Sequence, residues 1–395
     1  MLDIKEANRF IIFIFLLLLF IAATNNYTSI ENSMIDGFSD QKHYLNIIND
    51  SPSFTIQEIA KYQSERFFFP YVIGALINFF KLNQISYEIF IFLNIAVFFL
   101  ILSLFIKLLN FENSNINLNN LLVLSFACNP YIFRAGIYAP LMINDYIFIL
   151  GIILFLFFLL HGKINFLTTS VLICSFSRQT ALLMLPVLFF YLYFEKINSR
   201  EKIYILFNIV ILIFIFYFNK YIFSFFNVKI DESLIKTVTG LFKFNYTFLE
   251  LILFIARFFI SNFFIIILLF FTCFNLTKVK RKIKIKHWSI LILGLLIWSQ
   301  PILGGPIFTG GNIQRLTSFS IPIFLILFSY IYKDIKLGNL NYYLIFVLMI
   351  ISSFDHRYSF LGRLEIFTNA NYLQSIIIIF ISIILILKNK LILKS

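Results

Sequence analysis

Charged residues are scarce in this chain. Asp, Glu, Lys and Arg make up 13% of the 395 residues, whereas soluble domains carry about 25%. Apolar residues make up 60% of the sequence, and the mean hydropathy is +0.91. This composition excludes a water-soluble globular protein and predicts an integral membrane protein.

Cysteine and histidine are also rare, and their positions match no metal site. The cysteines lie inside separate apolar runs, far from the spacing of disulfides or metal ligands, at Cys128, Cys174 and Cys273. The histidines form no zinc motif and are scattered at positions 43, 161, 287 and 356. The sequence therefore gives no sign of a structural zinc or a redox thiol centre.

The chain is rich in long apolar runs. A helix that crosses the hydrocarbon core needs about 20 apolar residues, so the length allows roughly a dozen spans. We predict an all-α polytopic membrane protein with about 12 transmembrane helices, the first of which is a signal-anchor. The predicted spans are 9–25, 87–109, 121–141, 146–160, 164–177, 181–194, 203–226, 248–274, 288–304, 318–332, 341–354 and 374–388.

Basic residues indicate which loops face the cytoplasm, because cytoplasmic loops are rich in Lys and Arg. The ambiguous run at 67–80 is short and contains Pro70 and Gly74. If this run does not cross, the cytoplasmic side holds 18 of the 32 basic residues and 6 of the 19 acidic ones. We therefore predict both termini inside and a juxtamembrane segment at 67–80. On this view the net charge of +13 is a topology signal, and we expect no nucleic-acid partner.

The predicted external segments carry most of the unusual polar residues. The longest, 26–66, is acidic, and others lie at 134–145, 304–315 and 355–369. On the cytoplasmic side, the Asn-rich stretch 110–120 is interpreted as an ordinary connecting loop. The external ionisable residues that we single out are Asp40, Arg66, Arg134, Asp145, Arg178, Arg315, His356 and Arg357.

These external charges favour a binding site for a phosphorylated ligand. Ionisable residues at or in a membrane are costly and mark functional sites. The planar guanidinium of arginine binds phosphate through paired hydrogen bonds, and carboxylates act as bases or as cation ligands. Each charge taken alone is equally consistent with a solvated loop residue or a headgroup anchor.

Two motifs near the first predicted span resemble the GT-C superfamily of polyprenyl-phosphate-sugar-dependent membrane glycosyltransferases. In the first external loop of that superfamily, an acidic residue precedes a Tyr by four positions. Asp40 and Tyr44 match this spacing, whereas Asp36 does not. The segment Glu65-Arg66-Phe-Phe-Phe-Pro-Tyr is similar to the family's R-x-x-x-P motif, at which a juxtamembrane helix begins.

Two later motifs extend the resemblance over about the first 200 residues. The segment Tyr138-Ala-Pro-Leu-Met-Ile-Asn-Asp145 is similar to the second external loop of the family, which supplies another acid. The segment Ser177-Arg178-Gln179-Thr180, ahead of Pro186, resembles a recurring junction. The C-terminal half is similar only in general layout.

The resemblance implies a domain organisation and an activity. Residues 1–226, including the external loop 26–86, would form a GT-C-like transmembrane catalytic module. Residues 227–395 would add transmembrane helices, with no separate soluble domain. Family members move a sugar from a polyprenyl-phosphate carrier to a lipid, glycan or protein acceptor on the external side, usually with inversion. The expected location is the bacterial inner membrane, with the site on the periplasmic side among membrane lipids.

The resemblance and the charge pattern together give the site residues. By carry-over, Asp40 would be the catalytic base, and Asp145 would bind a divalent cation, Mg²⁺ or Mn²⁺, or orient the substrate. Arginines such as Arg315 and Arg357 could stabilise the leaving phosphate. The predicted substrate-binding residues are Tyr44, Arg66, Asp145, Arg178, Arg315, His356 and Arg357.

Three other functions fit parts of the sequence. A polysaccharide polymerase or ligase acting on lipid-linked glycans would emphasise Arg315, His356 and Arg357 and demote Asp40. A transporter or flippase would place its charges near the bilayer midplane and often show repeated halves. Here the charges are predicted at one membrane face, and no repeat is visible. A membrane scaffold without enzymatic activity is the third alternative.

The topology gives a first testable prediction. A reporter fused after Lys282, inside the six-base run 278–286, should read cytoplasmic, because basic loops are retained inside. The matched fusion after Asp36 should read external. An external reading at Lys282 would mean that the 67–80 run crosses the membrane and that the topology is inverted from there on.

Overall fold

The computed structural model describes residues 40–53, 65–127, 129, 132, 136, 139–223, 247–248, 251–252, 254, 283–309, 313–331 and 333. Every regular element within these ranges is a helix. The prediction of an all-helical chain is therefore confirmed for the part of the chain that is described.

Eleven α-helices lie within these ranges. They are α1 (Asp40–Asp50), α2 (Phe68–Phe79), α3 (Ser86–Glu112), α4 (Ile116–Ala127), α5 (Ile143–Leu160), α6 (Leu167–Ser177), α7 (Met184–Phe194), α8 (Ser199–Phe223), α9 (Ile285–Thr309), α10 (Ile313–Ser318) and α11 (Ile321–Ile331). Short 3₁₀ turns lead into four of them: Asn83–Ile85 into α3, Pro140–Met142 into α5, Ile164–Phe166 into α6 and Gln179–Leu183 into α7.

Four of the described helices are long and apolar enough to cross a membrane, which suggests a membrane protein. They are Asn83–Glu112, Pro140–Leu160, Ser199–Ile222 and Ile285–Ile302, and they coincide with the predicted spans at 87–109, 146–160, 203–226 and 288–304. The helices α2, α4, α6, α7 and α11 are apolar but shorter. The predicted spans at 9–25, 341–354 and 374–388, and most of 248–274, lie outside the described residues.

Helix α5 is the central helix of the described bundle. In its apolar membrane-spanning stretch 83% of the residues are buried inside the protein, compared with 28–39% in the corresponding stretches of the other three long helices. It packs against α3 and α6 over most of its length and also touches α9 and α11. By contrast, α8 exposes large apolar side chains such as Phe214 and Tyr217, as expected of a helix that faces lipid.

The run predicted to lie along the membrane, 67–80, forms α2, which packs against α1. At Gly74 the two backbones touch, because a Cβ there would lie 2.7 Å from the Cα and carbonyl oxygen of Ile48. The amide of Asn78 donates hydrogen bonds to the carbonyls of Ile48 and Asn49, at 3.0 and 3.2 Å. With 12 residues, α2 is about 18 Å long. This length is short of the ~30 Å hydrocarbon core.

Two interpretations of connecting segments are wrong. The stretch 110–120 is a loop only at 113–115, because α3 continues to Glu112 and α4 begins at Ile116. The Asn115 side chain accepts a hydrogen bond from the backbone N–H of Leu118 at 3.2 Å and thereby caps α4. The predicted external turn 304–315 is helical in its first half, since α9 continues to Thr309.

Candidate functional site

A buried carboxylate at the start of α5 is shared by two arginines. Asp145 lies in the first helical turn and is 8% exposed. Nη1 of Arg178 pairs with its Oδ1, and Nε of Arg315 lies 3.1 Å from its Oδ2. Arg178 is 1% exposed and Arg315 is 6% exposed. Both oxygens of one carboxylate therefore face guanidinium groups inside an apolar bundle.

Local hydrogen bonds fix the start of α5, and with it Asp145. The side-chain amide of Asn94 on α3 donates to the carbonyls of Gly136 and Pro140, both at 2.9 Å. The backbone N–H of Gly136 donates to the hydroxyl of Tyr146 at 3.0 Å. A Cβ at Gly136 would collide with the Tyr146 ring, so only glycine permits this approach. The partial positive charge of the α5 N-terminus also favours the Asp145 carboxylate.

Arg178 occupies the break between two apolar helices. It is the one extended residue (φ −154°, ψ 143°) between α6 and the 3₁₀ turn 179–183. Its guanidinium carbon lies 4.7 Å from the centre of the Phe319 ring, and Phe319 in turn packs edge-on against Phe148 of α5. The helix break thus directs a cation into the interior of the bundle, where Asp145 pairs with it and the ring of Phe319 packs against it.

A third arginine and a Glu–Gln pair extend the site towards α2. Arg66 interacts electrostatically with Arg178, and its Nη2 donates to Oε1 of Gln179 at 3.4 Å. The amide of Gln179 donates to the carboxylate of Glu65. The amide of Asn144 donates to the backbone carbonyl of Arg66 at 2.8 Å. The residues just before α2 are therefore tied to both α5 and the 178–183 break.

Helix α1 brings Tyr44 to the same region. It packs against the 3₁₀ turn Pro140–Met142, and Tyr44, 1% exposed, shares an apolar cluster with Met142. Tyr44 also interacts electrostatically with Arg178. Asp40 begins α1, so its backbone lies one helical turn before Tyr44. The side chain of Asp40 lies outside what the structure describes.

The electrostatics of the site favour an anion. Three guanidinium groups (Arg66, Arg178 and Arg315) meet two carboxylates (Asp145 and Glu65). Burial is the main cause that disfavours the charged form of Arg178, and the like charges of Arg66 and Arg315 add to it. The buried Nε atoms of Arg66 and Arg178 have no hydrogen-bond partner among the described residues. An anionic ligand would supply both the missing acceptors and the missing negative charge.

The predicted divalent-cation site on Asp145 stays a prediction. Within the described ranges, no group of three His, Cys, Asp or Glu residues is placed to hold a metal ion. As described, both Asp145 oxygens face guanidinium groups. A cation would have to compete with two arginines for this carboxylate, so this geometry does not fit a resident metal.

A cleft opens beside Arg178. Its polar side is formed by Glu65, Arg178 and Gln179. Its other lining residues are Ser175, Ala181, Leu182, Leu212, Phe216 and Asn219. The cleft therefore combines a cationic end with apolar walls on α8 and the 3₁₀ turn before α7, which suits an amphiphilic ligand.

The structure brings together five of the eight predicted site residues: Tyr44, Arg66, Asp145, Arg178 and Arg315. Asp40 is one turn away on α1, whereas His356 and Arg357 lie outside the described residues, as does Arg134. Sequence reasoning missed Gln179 and Asn219 as site residues. Asn219 offered a signal, because a polar residue inside a spanning apolar helix is costly.

A second buried polar cluster lies at the opposite end of α5 and was also missed. His287 and Glu112, 4% and 5% exposed, are 3.1 Å apart from Nε2 to Oε2. The His287 ring stacks on Tyr330. Asn113 donates to the carbonyl of Ser329 at 3.0 Å. These contacts join the α3–α4 turn to α9 and α11.

No protein-family model, no curated protein and no solved structure matches this chain. The interpretation of the site therefore depends on its own geometry: a buried carboxylate between two arginines, a third arginine beside them, and a cleft that leads away from Arg178.

Removing the shared carboxylate should destabilise the protein strongly. In Asp145→Asn, two buried guanidinium groups lose their counter-ion, and breaking a buried ion pair in this way costs about 3–5 kcal/mol. Thermal unfolding of the purified protein in detergent measures the loss. The matched control is Glu88→Gln, an exposed acid in the first turn of another apolar helix, α3. Equal unfolding temperatures for the two variants would contradict the structural role of Asp145.

Proposed function

We propose that this protein is a membrane glycosyltransferase that moves a sugar from a polyprenyl-phosphate carrier to a lipid, glycan or protein acceptor. The observation that carries the proposal is the set of three arginines, the buried Arg178 and Arg315 and the half-buried Arg66, against two carboxylates, next to a cleft with apolar walls. The site would face the external side of a bacterial inner membrane, in agreement with the distribution of basic residues in the sequence.

The arginines would bind the phosphate of the donor. The Nε atoms of Arg66 and Arg178, buried and without partners among the described residues, can donate hydrogen bonds to phosphate oxygens. When the sugar leaves, the phosphate gains negative charge. Donors that are already fixed in position stabilise that charge without reorganising. The ion pair with Asp145 and the ring of Phe319 hold Arg178 in place for this role.

The walls of the cleft would receive the first part of the isoprenoid chain. Leu212 and Phe216 on α8 and Leu182 after the helix break line it. The outer face of α8 exposes Phe214 and Tyr217. A lipid-linked substrate could therefore place its headgroup near Arg178 while its tail stays in contact with apolar side chains and membrane lipid.

The chemistry would be a single displacement with inversion. The hydroxyl oxygen of the acceptor forms a bond to the anomeric carbon, and the bond from that carbon to the phosphate oxygen breaks. Asp40 takes the hydroxyl proton, and the carrier leaves as polyprenyl phosphate. A neutral hydroxyl is a weak nucleophile, so a carboxylate within hydrogen-bond reach increases the rate. The start of α1 at Asp40, one turn from the buried Tyr44, supports this role.

The phosphate-binding role of the arginines can be tested by binding. Arg178→Lys and Arg315→Lys keep the charge but lose the planar fork of donors. Hydrogen bonds to charged groups contribute about 1.5–3 kcal/mol each, so at least one variant should bind undecaprenyl phosphate about tenfold or more weakly. The control is Arg200→Lys, an exposed arginine near the start of α8 that lies over Tyr204. Wild-type affinity in both site variants would make these arginines structural only.

The role of Asp40 can be tested by turnover. Asp40→Asn is nearly isosteric but cannot accept the proton, so transfer from a polyprenyl-phosphate sugar should fall about 100- to 10,000-fold. Asp50→Asn changes an acid at the other end of the same helix, α1, and should leave turnover within about twofold of wild type. If Asp40 only caps α1, Asn will replace it without loss, because Asn caps a helix as well as Asp does. Near-wild-type turnover of Asp40→Asn would remove Asp40 from the mechanism.

A further inference from the structure

Asn219 is a buried amide with an unused acceptor in the cleft beside Arg178. It lies on α8 and is 6% exposed. Its Nδ2 donates to the backbone carbonyl of Ser175 at 3.4 Å. Its Oδ1 has no hydrogen-bond partner among the described residues. A buried carbonyl oxygen without a donor costs about 1–3 kcal/mol, so this position calls for a ligand or a structural explanation.

Asn219 and Arg178 line the same cleft, and each has a buried polar atom without a partner among the described residues. Asn219, Phe216 and Leu212 are spaced by three and four residues, so they form one stripe of α8, and all three line the cleft. Arg178 lines the same cleft, and its buried Nε is a donor without a partner in the described part of the chain. An occupant that satisfies both groups must offer an acceptor to Nε and a donor to Oδ1, and an anion with hydroxyl groups does both while also balancing the positive charge of Arg178.

A glycosyl phosphate has this combination, whereas a bare phosphate carrier has only the anion. Glu65 and Gln179 line the cleft as well, and a carboxylate beside an amide offers further acceptors for hydroxyl groups. Phe216 supplies an apolar surface, and Nζ of Lys220 lies 4.3 Å from the centre of its ring. This lysine adds positive charge close to the cleft.

We propose that Asn219, together with Gln179 and Glu65, binds the hydroxyl groups of the donor sugar and determines which sugar the protein accepts. The inference rests on the proposed function, since it assigns a sugar to the phosphate site around Arg178. It goes further, because it places sugar recognition on α8. This part of the chain lies outside the motifs that resemble a known family.

A purely structural role for Asn219 is the competing explanation, and the chain offers a matched control. Asn219 could serve only to satisfy the carbonyl of Ser175 in the last turn of α6. Asn208 is a buried amide on the same helix, 0% exposed, whose Nδ2 donates to the carbonyl of Tyr204 at 2.8 Å. Its Oδ1 also has no partner among the described residues, yet Asn208 does not line the cleft.

Binding measurements on the full-length protein in lipid nanodiscs test the proposal. The probes are undecaprenyl phosphate, the same carrier linked to glucose, mannose or arabinose, and phosphatidylglycerol as a membrane phosphate with free hydroxyls. Wild-type protein should bind at least one glycosylated carrier more tightly than undecaprenyl phosphate. Asn219→Leu should lose about 2- to 12-fold of that sugar-dependent affinity, the range expected for one hydrogen bond, and should keep its affinity for the bare carrier. Asn208→Leu should keep both.

Several results would overturn the assignment. In Asn219→Leu, these results are an equal loss of affinity for all ligands or no change in affinity for any of them. In the wild type, they are tighter binding of phosphatidylglycerol than of any glycosylated carrier, or equal affinity for the carrier with and without a sugar. If Asn219→Leu does not fold, Asn219→Ser keeps a polar group that is too short to reach the sugar, and the same loss is expected. Sugar transfer that does not depend on Asn219 would support the proposed glycosyltransferase and reject the role of Asn219. Sugar binding that depends on Asn219, but without transfer to any acceptor, would keep the site and reject the enzyme.

Discussion

The ion pair between Arg178 and Asp145 is the interaction on which the described structure depends. Each charge alone would be prohibitively costly at this depth in an apolar bundle, and only their pairing makes the burial of both tolerable. The pair fixes the N-terminal end of α5 to the break between α6 and α7. Arg315 extends the contact to α10. Three segments that are far apart in the sequence therefore meet at one carboxylate.

The buried acidic and basic side chains among the described residues lie in two layers, one at each end of the central helix. Asp145 lies at the start of α5. The pair of Glu112 and His287 lies near its end, where the His161 ring packs against Phe111. The 18 residues of α5 make it about 27 Å long, which is close to the ~30 Å thickness of a hydrocarbon core. Apolar side chains fill the space between the layers. This is the arrangement that a low-dielectric surrounding favours, because buried charges find partners only where several helix ends meet.

The sequence was informative about the site because charges are so rare in it. Arg66, Asp145, Arg178 and Arg315 stand out against an apolar background, and the prediction that they share one face agrees with their contacts. The positions of the four long helices also followed from the lengths of the apolar runs. Hydropathy was enough to locate the long helices, and charge was enough to single out the site residues.

The features that were missed depend on packing. Asn219 stood out only as a polar residue inside a spanning apolar helix. Because neutral amides are abundant in this Asn-rich chain, the sequence could not place Asn219 or Gln179 in the cleft. The pairing of Glu112 with His287 joins residues 175 positions apart, and no local pattern encodes it. The helix ends within 110–120 were missed for a related reason. The Asn residues there cap a helix and hydrogen-bond to one another, whereas in the sequence alone Asn residues are typical of a loop.

The order of the helices along the chain also means that Asp145 is synthesised before both of its arginine partners. The ribosome makes Asp145 before Arg178, which follows 33 residues later, and long before it reaches Arg315. Until then the carboxylate has neither of its guanidinium partners, and it cannot be withdrawn from water or headgroups, because an unpaired charge in hydrocarbon is too costly. Helix α5 can take up its final, buried position only when α6 has arrived, and its charged end is complete only after α10. The last step in assembling the described bundle is therefore the packing of later helices, which carry the arginines, around a helix that was inserted earlier.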